Sequence, residues 1–157
     1  MFTIGDYAVC PGHGVGQVCS IDDRQFGEQT KSFYSIKLIS NGMTVMVPTD
    51  SENGSRKLVD GEEVNAVYGL LQDHDIKIDK STWNRRHREY LNKIKTGSIT
   101  EIAEVLRALF LLKSVKSLSF GEKKMLEQCR DMIAEEIALS AGHTKNDVAS
   151  RINACFN

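Results

Sequence analysis

Lys31-Ser-Phe-Tyr-Ser-Ile-Lys-Leu-Ile-Ser-Asn-Gly-Met-Thr-Val-Met-Val-Pro48 contains two runs of β-forming residues that meet at Asn41-Gly42. Asn-Gly between such runs is a strong short-range hairpin signal, and a two-residue loop there predicts Ser40 opposite Met43, Leu38 opposite Val45 and Ile36 opposite Val47. Side chains alternate along a strand, so this register gathers Tyr34, Ile36, Leu38, Val45 and Val47 on one apolar face, expected to be core. The other face carries Phe33, Ser35, Lys37, Ile39, Thr44, Met46 and Pro48. It is mixed in character: Met adapts readily at interfaces, and Pro48 marks an edge or a strand end. Two readings of this face stay open, a protein-binding surface or a face covered by another strand or by the rest of the chain.

Towards the N-terminus the β reading continues. Asp6–Cys10 and Val15–Ile21 are short runs of β-formers separated by the turn Pro11-Gly12-His13-Gly14, and Gly27 ends the next turn. Gly12-His-Gly-Val-Gly16 invites comparison with a dinucleotide fingerprint, but its third glycine comes one place early and a strand follows where a helix is needed. His13 is read as a turn residue.

Beyond the polar loop Thr49–Ser55 the hydrophobic period changes from two to about 3.6 residues. Asp60-x-x-Glu63, Ser98-x-x-Glu101, Ser119-x-x-Glu122 and Thr144-x-x-Asp147 resemble capping boxes, and Ser81 can cap a further helix. Five helices follow, at about 61–72, 82–95, 99–113, 120–140 and 145–156. The third is apolar over most of its circumference and should lie at the centre of a bundle, while Met125, Cys129, Met132, Ile133 and Ile137 form the stripe of the fourth. The chain therefore reads as α+β: a β-rich domain over residues 1–59 and a compact all-helical domain over 60–157.

The second of these helices stands out electrically. Lys80, Arg85, Arg86, Arg88, Lys93 and Lys95 face only Glu89, in a chain whose net charge is −1, so the local patch rather than the total sets the field a partner would meet. Helical spacing places His87, Tyr90, Leu91 and Ile94 on a half-apolar stripe and Arg85, Arg88, Asn92 and Lys95 on a wet basic one. Trp83, the single tryptophan, falls in the first turn. An aromatic side chain beside a basic face and free N-terminal amides suits a nucleic-acid backbone. The alternative is a solvated basic face with a core tryptophan.

With 41% hydrophobic and 26% charged residues and two prolines, the chain is expected to be globular rather than disordered. No secretory or transit signal is apparent, and no apolar run approaches the ~20 residues that span a bilayer. Cys10, Cys19, Cys129 and Cys155 form no C-x-x-C pair and read as buried free thiols of a cytoplasmic protein. A metal site built from Cys10, Cys19 and His13 fits no usual ligand spacing. The chain contains no G-x-S-x-G, H-E-x-x-H or Walker loop. Asp73-His-Asp75 lacks the glycine and closing glutamate of a calcium loop. Neither catalysis nor a cofactor is indicated.

Several motifs, taken in order and spacing, make the chain resemble the CarD/CdnL family of bacterial transcription regulators along nearly its whole length. They are Gly5-Asp-Tyr-Ala-Val9 with Pro11-Gly-His-Gly14, Val47-Pro48, Thr82-Trp-Asn-Arg-Arg86, Lys95-Thr-Gly97, Ala103-Glu-Val-Leu-Arg107 and Leu118-Ser-Phe-Gly-Glu-Lys-Lys-Met-Leu126. The N-terminal part also looks like the polymerase-interacting module of transcription-repair coupling factors. The resemblance implies a Tudor-like β domain that binds the β subunit of RNA polymerase, through Arg24, Ser35, Lys37, Met46 and Pro48. It implies a helical domain that contacts promoter DNA near the upstream edge of the −10 element. There Trp83 would enter the minor groove and hinder bubble collapse, while Arg85, Arg86, Arg88 and Lys95 would hold the backbone. Several relatives carry a basic residue where Met46 stands, which implies a more apolar polymerase contact here. Leu91 and Phe120 match positions left exposed in some relatives.

The same residues bear on three other functions. A stand-alone operator-binding repressor would need a helix-turn-helix or a dimer zipper, and neither is clear. A modified-peptide reader would need an aromatic cage, for which Tyr7, Phe26, Phe33 and Tyr34 are too dispersed. An enzyme would need a constellation that the motifs do not supply. A monomer, weak free-DNA binding and no metal are the expectations that accompany the regulator reading.

Overall fold

The computed structural model describes residues 2–50 and 55–157, so residues 51–54 of the expected polar loop lie outside the described residues. The chain divides into two compact units, Met1–Leu58 and Val59–Asn157.

The first unit is a four-stranded antiparallel sheet in the order β1-β2-β3-β4, a Tudor-like half-barrel: β1 Tyr7–Cys10, β2 Gly14–Phe26, β3 Gln29–Leu38 and β4 Thr44–Pro48. The β3–β4 pairing differs from the expected one. Tyr34 lies opposite Val47, Ile36 opposite Val45 and Ser35 opposite Met46, two residues away from the two-residue-loop register. A two-residue Asn-Gly loop needs both residues at positive φ. Only Gly42 adopts it (φ 72°), and among the described residues no non-glycine does. The Asn41 side chain instead accepts a hydrogen bond from Met43 N (2.9 Å), and Gly42 N donates to Leu38 O (3.0 Å), which closes a longer loop. A shift of two keeps every side chain on its face. The expected core face is therefore right although the register is not: Tyr34, Ile36 and Leu38 are buried with Ala8, Cys10 and Val18, and Val45 and Val47 pack against them.

β2 runs five residues past the expected end because its distal part pairs with β3 as a ribbon exposed along Ile21–Phe26, closed by Gly27-Glu28. Gly27 opens that loop at positive φ rather than ending it. The pairing slips between Val18 and Ser20, leaving Cys19 as an extra, exposed residue, so the expectation of four buried thiols fails there, and Cys155 is only half-buried. Gly16 permits the close approach of β2 to β3. A Cβ at that position would lie 2.4 Å from Ile36 Cγ2 and 2.9 Å from Lys37 O.

The second unit consists of α1 Gly61–Gln72, α2 Trp83–Lys95, α3 Ile99–Lys113, α4 Phe120–Ala141 and α5 Lys145–Ala154. Local chemistry sets four of the five starts. Asp60, Ser98, Ser119 and Thr144 each accept a hydrogen bond from the backbone three residues on, and at Asp60 and Ser119 the glutamate reciprocates. The exception is α2. Its cap is Thr82, with no side-chain bond, and Ser81 instead donates its N–H to Asp79 Oδ1 (2.8 Å). α3 lies at the centre of the unit and packs against α1, α2 and α4, with eight of its fifteen residues buried. Met125, Cys129, Ile133 and Ile137 of α4 are buried against it, and Met132 is partly buried. Burial pushes the Cys129 thiol up to about 12. Among the described residues, no helix is long and apolar enough to cross a membrane.

Candidate functional site

On the sheet, alternation and register place Phe33, Ser35 and Lys37 of β3 on the face away from the core, with Pro48, Met46 and Thr44 of β4 directly opposite them. Lys31 continues this row on β3 and has Arg24 as its β2 partner. Arg24, Ser35, Lys37, Met46 and Pro48 thus share one face. Arg24 and Lys37 are exposed, Met46 is 40% exposed, and Ser35 and Pro48 are half-buried. Phe26 extends the face apolarly, 55% exposed and tilted against Phe33 at 5.8 Å between ring centroids. The face thus sets three cations, Arg24, Lys31 and Lys37, around a methionine and a proline, an apolar centre with charged margins.

On the helical unit, Trp83 opens α2 and is half-buried. Its indole rests on α4 where Gly121 leaves room: a Cβ there would lie 2.9 Å from the indole Nε1. Tyr90 approaches the ring at 6.3 Å and His87 at 5.2 Å between centroids, and the Arg86 guanidinium carbon stands 5.2 Å from it. His87 is exposed rather than part of the buried stripe, which is instead Arg86, Tyr90 and Ile94. An indole seated on a glycine and flanked by two rings is held in place while remaining half-exposed.

The four basic residues expected at nucleic acid separate into three groups. Arg85 and Arg88 are exposed on the side of α2 away from the core, and Arg85 has only a loose pairing with Glu89 (3.8 Å). Lys95 is exposed too, but twelve residues after Trp83, which is ~18 Å along a helix. Arg86 departs from the set. It is 2% exposed, its Nη2 donates to Glu122 Oε2 (2.7 Å), and its Nε donates to Ser81 O (2.9 Å). Helical spacing gives the reason, since residues 83, 86, 90 and 94 share the face that α3 and α4 cover. Arg86 therefore holds α2 to α4 beneath Trp83 and does not present its charge at the surface.

Glu122 is the residue that sequence reasoning assigned only to a cap. It is 1% exposed and accepts from Ser119 N (2.8 Å) and Arg86, with Lys116 Nζ 3.3 Å from Oε1. Burial pushes its carboxyl up, but the Ser119 amide, Arg86, the Ser119 hydroxyl and Lys116 together outweigh burial and hold it at about 2. Burial also raises the Tyr90 phenol, partly offset by the neighbouring Arg86 guanidinium. Leu91 is half-buried against the core, whereas Phe120, next to Gly121, is 82% exposed. Among the described residues no cluster of metal-ligating side chains occurs.

These two units correspond to two families of domain. Residues 2–59 match the CarD-like/TRCF RID domain, a class of module that interacts with RNA polymerase, and residues 66–153 match the CarD C-terminal domain. The chain belongs to the CarD family. It is also 34% identical over 152 residues to the Bacillus subtilis (strain 168) protein described as "Putative transcription factor YdeB", a match covering 96% of this chain and 99% of the relative. A CarD-family chain of this kind is a transcription regulator.

Proposed function

We propose that this CarD-family protein binds the β subunit of bacterial RNA polymerase through the Met46 face of its sheet and stabilises the open promoter complex through Trp83. The observation that carries the reading is the indole itself, seated on Gly121 and half-buried, with exposed Arg85 and Arg88 on the same helix. Opening a base step costs a few kcal/mol, and an aromatic side chain stacked on an exposed base recovers ~1–3 kcal/mol, enough to shift a near-balanced opening equilibrium several-fold. A few phosphate contacts give only weak binding to free DNA at physiological salt. Polymerase then supplies effective concentration, so neither surface has to be strong. Arg85, Arg88 and Lys95 serve as backbone contacts in this reading, and Arg86 as the residue that positions the indole.

The test has two parts. A β-subunit fragment should retain the wild-type protein and release a Met46→Asp, Pro48→Asp double variant of unchanged fold. Trp83→Ala should keep polymerase binding but shorten the lifetime of the open complex several-fold. Open-complex decay unchanged by Trp83→Ala would remove the wedge, and no capture of the wild type at low and moderate salt would return the free-DNA repressor to first place.

A further inference from the structure

Beside the buried ion pair lies a cavity of about 150 Å³ lined by Lys80, Arg86, Leu112, Val115 and Lys116. Its walls come from the segment before α2, from α2 itself, and from the end of α3 with the loop that follows. Three of the five lining residues are cations, and the nearest anion, Glu122, is already engaged by Arg86 at 2.7 Å and Lys116 at 3.3 Å. With Asp79, which precedes Lys80 and feels the charge of Arg86, two carboxylates stand against three cations, an excess of one positive charge around a partly enclosed space. Arg86 also carries an unmet donor: its Nη1 is buried and has no hydrogen-bond partner among the described residues. A buried guanidinium N–H without an acceptor is costly, and a bound oxyanion would relieve it, with the exposed Lys80 and Lys116 reaching it from the rim. One water requires ~10–15 Å³ of such space, so the cavity has room for a tetrahedral oxyanion with a few waters.

We propose that Lys80, Arg86 and Lys116 form a binding site for a phosphate group. Leu112 and Val115 give the cavity a low-dielectric wall, against which an ion pair is stronger than on an open surface. Lys116 also lines a neighbouring, more open groove of about 620 Å³ with Lys113, Lys123 and Arg130. A polyanion anchored by one phosphate in the cavity would find further cations along that groove. The site stands independently of the wedge, since it requires neither polymerase nor the Trp83 edge.

The indole lies within 5.2 Å of the Arg86 guanidinium carbon and is the only tryptophan, so its fluorescence reports on the cavity. Pyrophosphate is titrated into the full chain at constant ionic strength, with the Arg86 side-chain N–H resonance followed by NMR as a second readout. A saturable change in either is expected, weakened about tenfold by Lys80→Ala or Lys116→Ala, as for loss of one charged hydrogen bond. Lys57→Ala, which removes a positive charge outside the helical unit, should leave it unchanged. No saturation in both readouts, or equal weakening by Lys57→Ala and Lys80→Ala, would overturn the site in favour of diffuse electrostatics. A forked DNA duplex then separates two sources of the phosphate. Displacement of pyrophosphate by the fork assigns the cavity to a backbone phosphate, and undiminished pyrophosphate binding with the fork present assigns it to a free anion; both support the site.

Discussion

Arg86 Nη2 meets Glu122 Oε2 at 2.7 Å across 36 residues of sequence, with both side chains almost wholly buried, and this pair is the joint between α2 and α4. Glu122 also completes the Ser119 capping box, so one carboxylate both starts α4 and receives α2. Breaking a buried pair from one side leaves an uncompensated charge, which costs ~3–5 kcal/mol. Glu122→Gln keeps the shape and an acceptor for Ser119 N but loses the charge, so urea denaturation should show a loss at the lower end of that range. A double variant, Arg86→Met with Glu122→Gln, should recover part of it. If the double variant is destabilised by the sum of the two single changes, the pair is not coupled and the joint lies elsewhere.

The same carboxylate makes stability depend on acid. Its folded value, about 2, lies below the ordinary 4.5, so the folded state holds fewer protons and the contribution is fully present above pH 4.5. It is lost as pH falls from there towards 2. A shift of this size corresponds to a few kcal/mol, on the order of 3, for a group sealed from solvent. Chemical denaturation at a series of pH values should show the gap between wild type and Glu122→Gln narrowing below pH 4.5. A gap constant down to pH 3 would mean that the charge at Glu122 does not contribute.

Gly121 sits in the first turn of α4, where alanine is a better helix former than glycine, by at most the ~1 kcal/mol of a helix interior. Here the added methyl would lie 2.9 Å from the indole Nε1, so Gly121→Ala should displace Trp83 from its seat while leaving helical content unchanged. The expected signature is a red shift of tryptophan emission with an unaltered far-UV spectrum and, under the proposed function, a shorter open-complex lifetime with polymerase capture intact. An unshifted emission maximum would show that the indole does not depend on this contact.

Helix boundaries were legible because caps are local. Asp60, Ser98, Ser119 and Thr144 each carry their partner three residues away, and all four starts fall where those motifs lie. α2 was misread by one residue, since Ser81 is taken up by Asp79. The core face of β3–β4 was legible through parity alone, which survives an even shift. The register was not, because Asn41 spent its side chain on Met43 N instead of taking positive φ. Trp83 and its basic surroundings could be found from charge density. The burial of Arg86 could not, since its acceptor Glu122 lies in another helix and long-range pairs leave no periodic trace. Lys80 and Lys116 were hidden in the same way, as one extra charge near α2 and one loop lysine.

Gly16 allows the sheet to be tested separately from the helical unit. Its missing side chain lets Ile36 and the Lys37 carbonyl approach, and Ile36 is fully buried, so neither neighbour is a flexible surface group that can swing away. Gly16→Ala must therefore part β2 from β3 locally or force Ile36 off its rotamer, a penalty of ~1–3 kcal/mol and more if both occur. Heteronuclear NMR should show the largest shifts along β2 and β3, including Val18 and Ser35, with the signals of α3 and α4 in place. The displacement starts at the row that carries Ser35 and Lys37, so under the proposed function polymerase capture should fall together with sheet stability. A variant with the wild-type melting profile and unmoved β3 resonances would show that the sheet absorbs the methyl and that the close approach at Gly16 is not a constraint on the fold.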